Sequence, residues 1–406
     1  MTVRSETPTT ATEPPYPPAA PTETEVAGAG SAVERTDHRD HHPLPWDLPA
    51  EQWRLATAGG AFLLSFVVAL TLMYGRRHPM FGEGSIGEYS ALIAALSTAI
   101  TFVVWFAWAV RGPAQRWRRR MALFLRILEY VGLTLTHAAV AMLALSGTFW
   151  ILSQAFRELT LDGFAGAFIV AVGSAVTSYL VVGSALSTNT RHLSQLLAVF
   201  VASGALSSML TASDPLWWQD HFSSLGAASD LSGLTFNFTL LLGGLVIITL
   251  SGYLTHDLAV WAELARERPY KVTVMRIAFL VEGVLLAALA FLSVDRFFYT
   301  HNVVAYAMVA VFLAMAAGVP VLFPTLSRPF SLVCALTLTA LVVGLVAYLG
   351  VGYLNLTAFE VLTVAGIFTW LILLVATVES ASEHRRSHPA ALGHDPVVDP
   401  DDDRLP

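Results

Sequence analysis

Residues 233–255 read GLTFNFTLLLGGLVIITLSGYLT, a run of 23 residues without a charged side chain. A helix rises about 1.5 Å per residue, so about 20 apolar residues cross the hydrocarbon core of a bilayer. Inside lipid every backbone polar group must be satisfied within the protein, and a single segment achieves this as a helix. The run therefore predicts a transmembrane α-helix.

The composition of the whole chain is typical of a membrane protein. Of the 406 residues, 55% are hydrophobic and only 13% are charged, and the mean hydropathy is +0.61. Soluble proteins carry about 25% charged residues, so much of this surface must face lipid. Ten runs are long and apolar enough to span a bilayer: 55–75, 90–110, 124–152, 164–186, 193–213, 233–255, 274–293, 303–323, 331–351 and 357–378. They predict an all-α fold, a polytopic transmembrane helix bundle of ten spans.

Basic residues are distributed unevenly among the connections between these runs. The connections after the second, fourth, sixth and eighth runs, together with Arg126 and Arg276 at the starts of the runs that follow, hold 12 arginines and lysines, whereas the other connections hold four. The richest of them contains RGPAQRWRRR at 111–120. Basic connections stay in the cytoplasm. We therefore expect a bacterial inner-membrane protein with both termini in the cytoplasm and with residues 214–232 on the outer face.

The chain is expected to divide into four segments. Residues 1–50 and the acidic residues 381–406 hold few large apolar side chains, which is typical of disordered tails. Between the tails, residues 51–190 form a transmembrane part with four spans, and residues 191–380 form a transmembrane domain with six.

The longest outer connection begins DPLWWQDHFSSLG, at residues 214–226. Much of it has a structural interpretation: the Asp-Pro pair ends a helix, and the two tryptophans suit the head-group layer of the membrane. Asp230 or Ser232 is a candidate N-cap for the next helix. This interpretation leaves Asp220 and His221 unexplained.

A second outer segment, residues 293–307, also carries polar side chains near two predicted helix ends. The two segments can meet if the helices that flank them are neighbours. Histidines and carboxylates could then bind a metal, act as an acid–base pair, or hydrogen-bond a lipid head group. No HExxH motif or other metal-ligand spacing is present, and the single cysteine, Cys334, excludes a cysteine-based zinc site, so no metal and no cofactor is predicted. The candidate outer cluster consists of Asp220, His221, Ser224, Asp295, Arg296, His301 and Asn302.

The patterns HFSSLG at 221–226, FNFTLLLGGL at 236–245 and DRFFYTHNVVAYAMVAVF at 295–312 resemble an uncharacterised prokaryotic integral-membrane family. This family, domain of unknown function 998, is grouped with the Frag, DRAM and Sfk membrane proteins. The resemblance covers about residues 193–380 and implies a lipid-embedded core of six helices. It also implies relatives connected to membrane-lipid organisation or lipid-anchor remodelling, and no established catalytic residue. The matching positions are Ser224, Leu225, Gly226, Asn237, Asp295 and His301.

Three ionisable residues fall within predicted spans: Glu129, His137 and Glu282. A charge at the bilayer centre costs about 2.5–3.5 kcal/mol on insertion scales, so each of them needs a reason. One interpretation is interhelical hydrogen bonding, with Glu129 paired to Arg126 or to another arginine of the cytoplasmic side. The other is a proton or cation path. Glu360, near the outer end of the last span, is a further candidate for the outer cluster.

The sequence contains no Walker loop, no dinucleotide-binding fingerprint after a strand and no nucleophile elbow. We therefore expect a non-enzymatic membrane protein whose outer cluster contacts lipid head groups or a membrane protein partner, and no nucleic-acid partner. Two alternatives stay open. One is an ion-coupled secondary transporter that uses Glu282 and His137, and the other is a lipid-modifying hydrolase with its active site in the outer cluster.

Overall fold

The computed structural model describes residues 50–387, and within that part ten helices are long and apolar enough to cross a membrane. Each predicted run overlaps one of them, so the prediction of an all-α polytopic bundle is confirmed. The helices are α1 Ala50–Met73, α2 Ile86–Ala109, α3 Leu123–Ala155, α4 Gly163–Leu186, α5 Thr190–Thr211, α6 Leu231–Leu264, α7 Pro269–Leu289, α8 Phe298–Leu322, α9 Arg328–Leu345 and α10 Leu356–Ser387.

The two predicted tails fall almost entirely outside the described residues. Residues 1–49 and 388–406 lie outside them, so the predicted disorder stays a prediction there. The last helix continues to Ser387, which is beyond the predicted boundary at residue 380.

Short segments occupy several connections. Strands β1 Arg77–Pro79 and β2 Thr160–Asp162 pair antiparallel and tie the α1–α2 connection to the α3–α4 connection. The sequence does not predict this pairing, because three residues are too few to show a periodic pattern. Other connections contain 3-10 helices at Pro113–Arg120, Trp217–Gln219 and Phe222–Ala227, and a short π-helix at Val346–Gly350 follows α9.

Contacts between connections define the two ends of the bundle. At one end β1 pairs with β2, and the 214–230 connection hydrogen-bonds to the beginning of α10; this end is termed the loop face. At the opposite end the ring of Trp117 stacks on His256 of α6, with centroids 4.6 Å apart, and Arg191 pairs with Glu379; this end is termed the arginine face.

The helices pack in two sets that share α3. In the first set α1 packs on α4, and α2 packs on both α3 and α4. In the second set α6 packs on α5, α7 and α10, and α8 and α9 close a ring between α7 and α10. Helix α3 also contacts α5 and α6, so it joins the sets. Helix α6 is central and largely buried, whereas most side chains of α9 lie on the outside of the bundle.

The contact between α6 and α7 depends on two glycines. A Cβ atom added to Gly283 would lie 2.7 Å from Cγ1 of Ile248 and 2.8 Å from the carbonyl oxygen of Gly244. Neither distance is compatible with a real side chain, so both helices need glycine where they cross. Small residues of this kind allow membrane helices to approach closely.

Candidate functional site

A polar cleft of about 270 Å³ opens at the loop face. It lies between the 212–232 segment and the connection from α7 to α8. Of the predicted outer cluster, the residues that line this cleft are Asp220, His221, Ser224 and Asp295. The structure thus brings together residues from two connections that are more than 60 positions apart in the chain.

The beginning of α10 holds the outer connection in place. The side-chain amide of Asn355 donates to the carbonyl oxygen of Trp218 at 3.0 Å. The carboxylate of Glu360 accepts a hydrogen bond from the backbone amide of Phe222 at 2.5 Å. Glu360 therefore joins the polar network of the loop face, although it does not line the cleft itself.

The Ser-Leu-Gly turn packs directly on the first turns of α6. The side-chain amide of Asn237 donates to the carbonyl oxygen of Gly226 at 2.8 Å. A Cβ atom added to Gly226 would lie 2.7 Å from Oδ1 of Asn237 and 2.8 Å from the ring of Phe236. The hydroxyl of Ser224 donates to the carbonyl oxygen of Trp217 at 3.3 Å. These contacts give a physical reason for glycine and asparagine at these positions.

Asp230 is the N-cap of α6, and its carboxylate accepts from the backbone amide of Gly233 at 3.1 Å. The same carboxylate accepts hydrogen bonds from the hydroxyl and the backbone amide of Ser213. The Ser213 hydroxyl first, and then the Gly233 amide, lower the pKa of Asp230 below its usual value of 3.8 by stabilising the ionised form. Through these hydrogen bonds Asp230 links the residues that follow α5 to the beginning of α6.

The other predicted residues of the cluster do not line the cleft. His301 is buried, and its Nδ1 lies 2.6 Å from the carbonyl oxygen of Leu292, to which it donates. The side chain of Asn302 donates to the carbonyl oxygen of Phe298 at 2.9 Å, and Arg296 is exposed. Within residues 50–387 no group of three histidine, cysteine or acidic side chains is arranged to hold a metal ion.

Glu129 lies in a buried polar triad at the arginine face. Its carboxylate pairs with Arg118, and it accepts a hydrogen bond of 2.8 Å from the hydroxyl of Tyr253 on α6. The side chain of Glu129 is 0% exposed and that of Arg118 is 4% exposed, so the ion pair is buried. Glu129 thus pairs with Arg118 and not with Arg126.

His137 is also satisfied by hydrogen bonds. Its Nδ1 donates to the carbonyl oxygen of Leu133 at 2.8 Å, and its Nε2 accepts from the hydroxyl of Ser184 on α4 at 2.8 Å. The ring stacks on Phe102 of α2, with centroids 4.3 Å apart. His137 therefore links three helices of the first set, as the interhelical interpretation predicts.

Glu282 differs from the other two buried residues. It lines an apolar cavity of about 100 Å³ inside the second set of helices. Its side chain makes no hydrogen bond to any described residue, and its Oε2 atom is fully buried. The interhelical hydrogen bond expected for this residue is thus not present in the described part. His137 does not line this cavity, so the structure does not bring the two proposed coupling residues together.

The cleft and the cavity are separated by one short segment. Phe222 lines the apolar cavity, whereas its neighbour His221 and the nearby Ser224 line the polar cleft. The ring of Phe222 also contacts Phe236 edge-on at 5.2 Å between centroids. The segment 221–225 is therefore the partition between a polar space and an apolar one.

Comparisons with models of protein families, with curated proteins and with solved structures find no match to this chain.

Proposed function

We propose that this integral membrane protein binds a lipid head group that carries an amine, and that the cleft at the loop face is the binding site. The main support for this proposal is that four predicted residues from two distant connections line one cleft, and that Asp220 and Asp295 are among them. The carboxylates of these two residues are exposed and make no side-chain hydrogen bond or ion pair to other described residues. An ammonium group is the natural donor to such a pair, because charge-assisted hydrogen bonds are stronger than neutral ones.

Neighbouring residues suit the same ligand. His221 and Ser224 supply donors for the phosphate or hydroxyl oxygens of a head group. Trp217 lines the cleft and Trp218 is exposed, and tryptophan rings at the end of a membrane helix favour the head-group layer. We further propose that the chain is a distant member of the domain of unknown function 998, whose Ser-Leu-Gly and asparagine positions are in direct contact here through Gly226 and Asn237.

The two alternatives find less support in the geometry. A hydrolase of the predicted kind needs His221 and His301 in one site, but His301 bonds to Leu292 outside the cleft. A transporter of the predicted kind needs Glu282 and His137 on one path, and His137 is absent from the residues that line the cavity.

Native mass spectrometry tests the head-group proposal. The protein is purified from nanodiscs that contain equal amounts of phosphatidylethanolamine and phosphatidylglycerol, and the retained lipids are identified. We expect the wild type to retain the amine-bearing lipid. The double variant D220N/D295N is expected to retain at least tenfold less of it, since each lost charge-assisted contact of about 1.4 kcal/mol changes affinity by a factor of ten.

The matched control is E83Q, which neutralises an exposed acid of the loop face outside the cleft. It is expected to retain as much phosphatidylethanolamine as the wild type. Equal retention of both lipids by the wild type, or no loss in the double variant, would contradict the proposal.

We also propose that the loop face points away from the cytoplasm, because the basic residues concentrate in the connections of the opposite end. A cysteine that replaces the exposed Ser229 is expected to react with a membrane-impermeant maleimide in intact cells. A cysteine at the exposed Ser187, on the arginine face, is expected to react only after the cells are opened. The native Cys334 is 1% exposed and adds little background. The reverse labelling pattern would refute this orientation.

A further inference from the structure

The cavity that contains Glu282 is almost wholly apolar. Helices α5, α6, α7, α8 and α10 supply its walls, which include aromatic rings from Phe279, Phe312 and Trp370. Among the described residues that line it, Glu282 is the only ionisable one. The wall also contains Thr239, but the hydroxyl of this residue donates to the carbonyl oxygen of Thr235 within its own helix.

The carboxyl group of Glu282 has no hydrogen-bond or charged partner among the residues that the structure describes. The residue is only 7% exposed, and no arginine, lysine or histidine lines the cavity beside it. A buried charge without a partner costs free energy, and so does a buried polar group without a hydrogen bond. Native proteins satisfy almost all such groups. Among the buried side-chain atoms of the described residues without a hydrogen-bond partner, Oε2 of Glu282 is the only carboxylate oxygen, and a bound ligand would satisfy it.

We propose that this cavity is a second binding site, and that its ligand is a small lipophilic amine. The ammonium group of the ligand donates to the carboxylate of Glu282, and its hydrocarbon part occupies the space between the aromatic and aliphatic walls. The aromatic rings add favourable contacts to a cation, because the face of an aromatic ring attracts positive charge. This site is distinct from the head-group cleft and does not depend on it.

The volume limits the size of the ligand. The cavity measures about 100 Å³, whereas an engineered cavity of about 150 Å³ in another protein accommodates benzene. By the same ratio the space holds about four non-hydrogen atoms, so a primary amine with a chain of about three carbons matches it best. A longer molecule can place only its amine-bearing end there.

The ligand has a short route from the loop face. Glu282 lies seven residues before the end of α7 at Leu289, a depth of about 10 Å at 1.5 Å per residue. Phe222, in the partition below the cleft, is the residue of the outer connection that lines the cavity. The cavity therefore extends from the level of Glu282 to the segment 221–225.

Calorimetric titration of the purified protein with n-propylamine and with n-propanol tests the proposal. The two probes have chains of the same length, and only the first carries a positive charge. Both titrations use the D220N/D295N background, because the carboxylates of the head-group cleft can also bind an ammonium group. We expect this protein to bind n-propylamine at one site, and the addition of E282Q to weaken this binding at least tenfold. n-Propanol is expected to bind both proteins with equal affinity, which shows that the isosteric variant is folded and that its cavity is intact.

One further variant separates this site from other sources of binding. A205F, which fills the cavity from α5, is expected to abolish binding of both probes in the same background. Equal binding of n-propylamine with and without the E282Q substitution would overturn the proposal. Equal affinity of the D220N/D295N protein for both probes would also overturn it, because Glu282 would then act as a neutral acid.

Discussion

The variant R118M is expected to lose about 3–5 kcal/mol of unfolding free energy, the usual cost of removing one partner from a buried ion pair. The carboxylate of Glu129 would stay buried with only the Tyr253 hydroxyl as a donor. The guanidinium of Arg118 also lies 4.9 Å from the ring centroid of Phe106, so its packing contact is lost as well. The measurement is unfolding in mixed micelles with increasing denaturing detergent, followed by tryptophan fluorescence.

Two companion variants test the cause of this loss. R119M removes an exposed arginine from the same 3-10 helix and is expected to change stability by about 0.5 kcal/mol or less. The double variant R118M/E129L removes both charges and is expected to recover most of the loss, because well-packed apolar residues replace buried ion pairs at little cost. If R118M is as mild as R119M, the triad does not stabilise the protein.

The variant G283L is expected to destabilise the protein by about 3 kcal/mol or more, the upper end of what overpacking costs. A leucine at this position must occupy the space of Ile248 and of the Gly244 backbone, so α6 and α7 have to separate. Because α6 is the central helix of its set, this displacement affects α5 and α10 as well. The expected readouts are a reduced yield of monodisperse protein and an earlier unfolding midpoint.

The control for this variant is G366L in α10. A Cβ atom on Gly366 meets nothing within 4 Å, so a larger side chain fits there. Glycine is also less favourable than other residues inside a helix, by about 1 kcal/mol relative to alanine. G366L is therefore expected to be neutral or slightly stabilising. Equal losses in both variants would show that the close approach at Gly283 is not the reason.

The ten spans could be predicted from sequence because lipid imposes a minimum length and excludes charge. Helix ends were harder to predict where packing continues past the apolar run. Helix α6 extends to Leu264, beyond the predicted end at residue 255, because Leu258 and Trp261 stay buried after the polar residues His256 and Asp257. A hydropathy profile does not detect contacts between the polar end of a helix and the neighbouring helices.

The candidate site was only partly accessible to sequence reasoning. The predicted topology places Asp220 and Asp295 at one face, but only the packing of the helices determines that they line the same cleft. His301 belongs to the same face and still bonds locally, because a residue in the first turn of a helix finds carbonyl groups of the preceding connection nearby. The sequence gives one indication of the cavity, namely that Glu282 is an acidic residue inside an apolar run.

The identity of the Glu129 partner depended on tertiary structure. Several arginines of the cytoplasmic connections were candidates by distance along the chain. Arg118 pairs with Glu129 because the ring of Trp117 packs against Tyr253 and His256 and so fixes the position of the 3-10 helix. No local pattern in RGPAQRWRRR distinguishes the arginine that turns inward from those that face solvent.

The triad crosses the boundary between the predicted four-helix part and the predicted six-helix part. Arg118 and Glu129 belong to the first, and Tyr253 belongs to the second. A chimera that replaced the six-helix part by that of an unrelated protein would keep Arg118 and Glu129 but lose the phenol hydroxyl that also bonds to the acid. The two parts are therefore not independent modules, and a graft that keeps this hydroxyl is expected to be the more stable one.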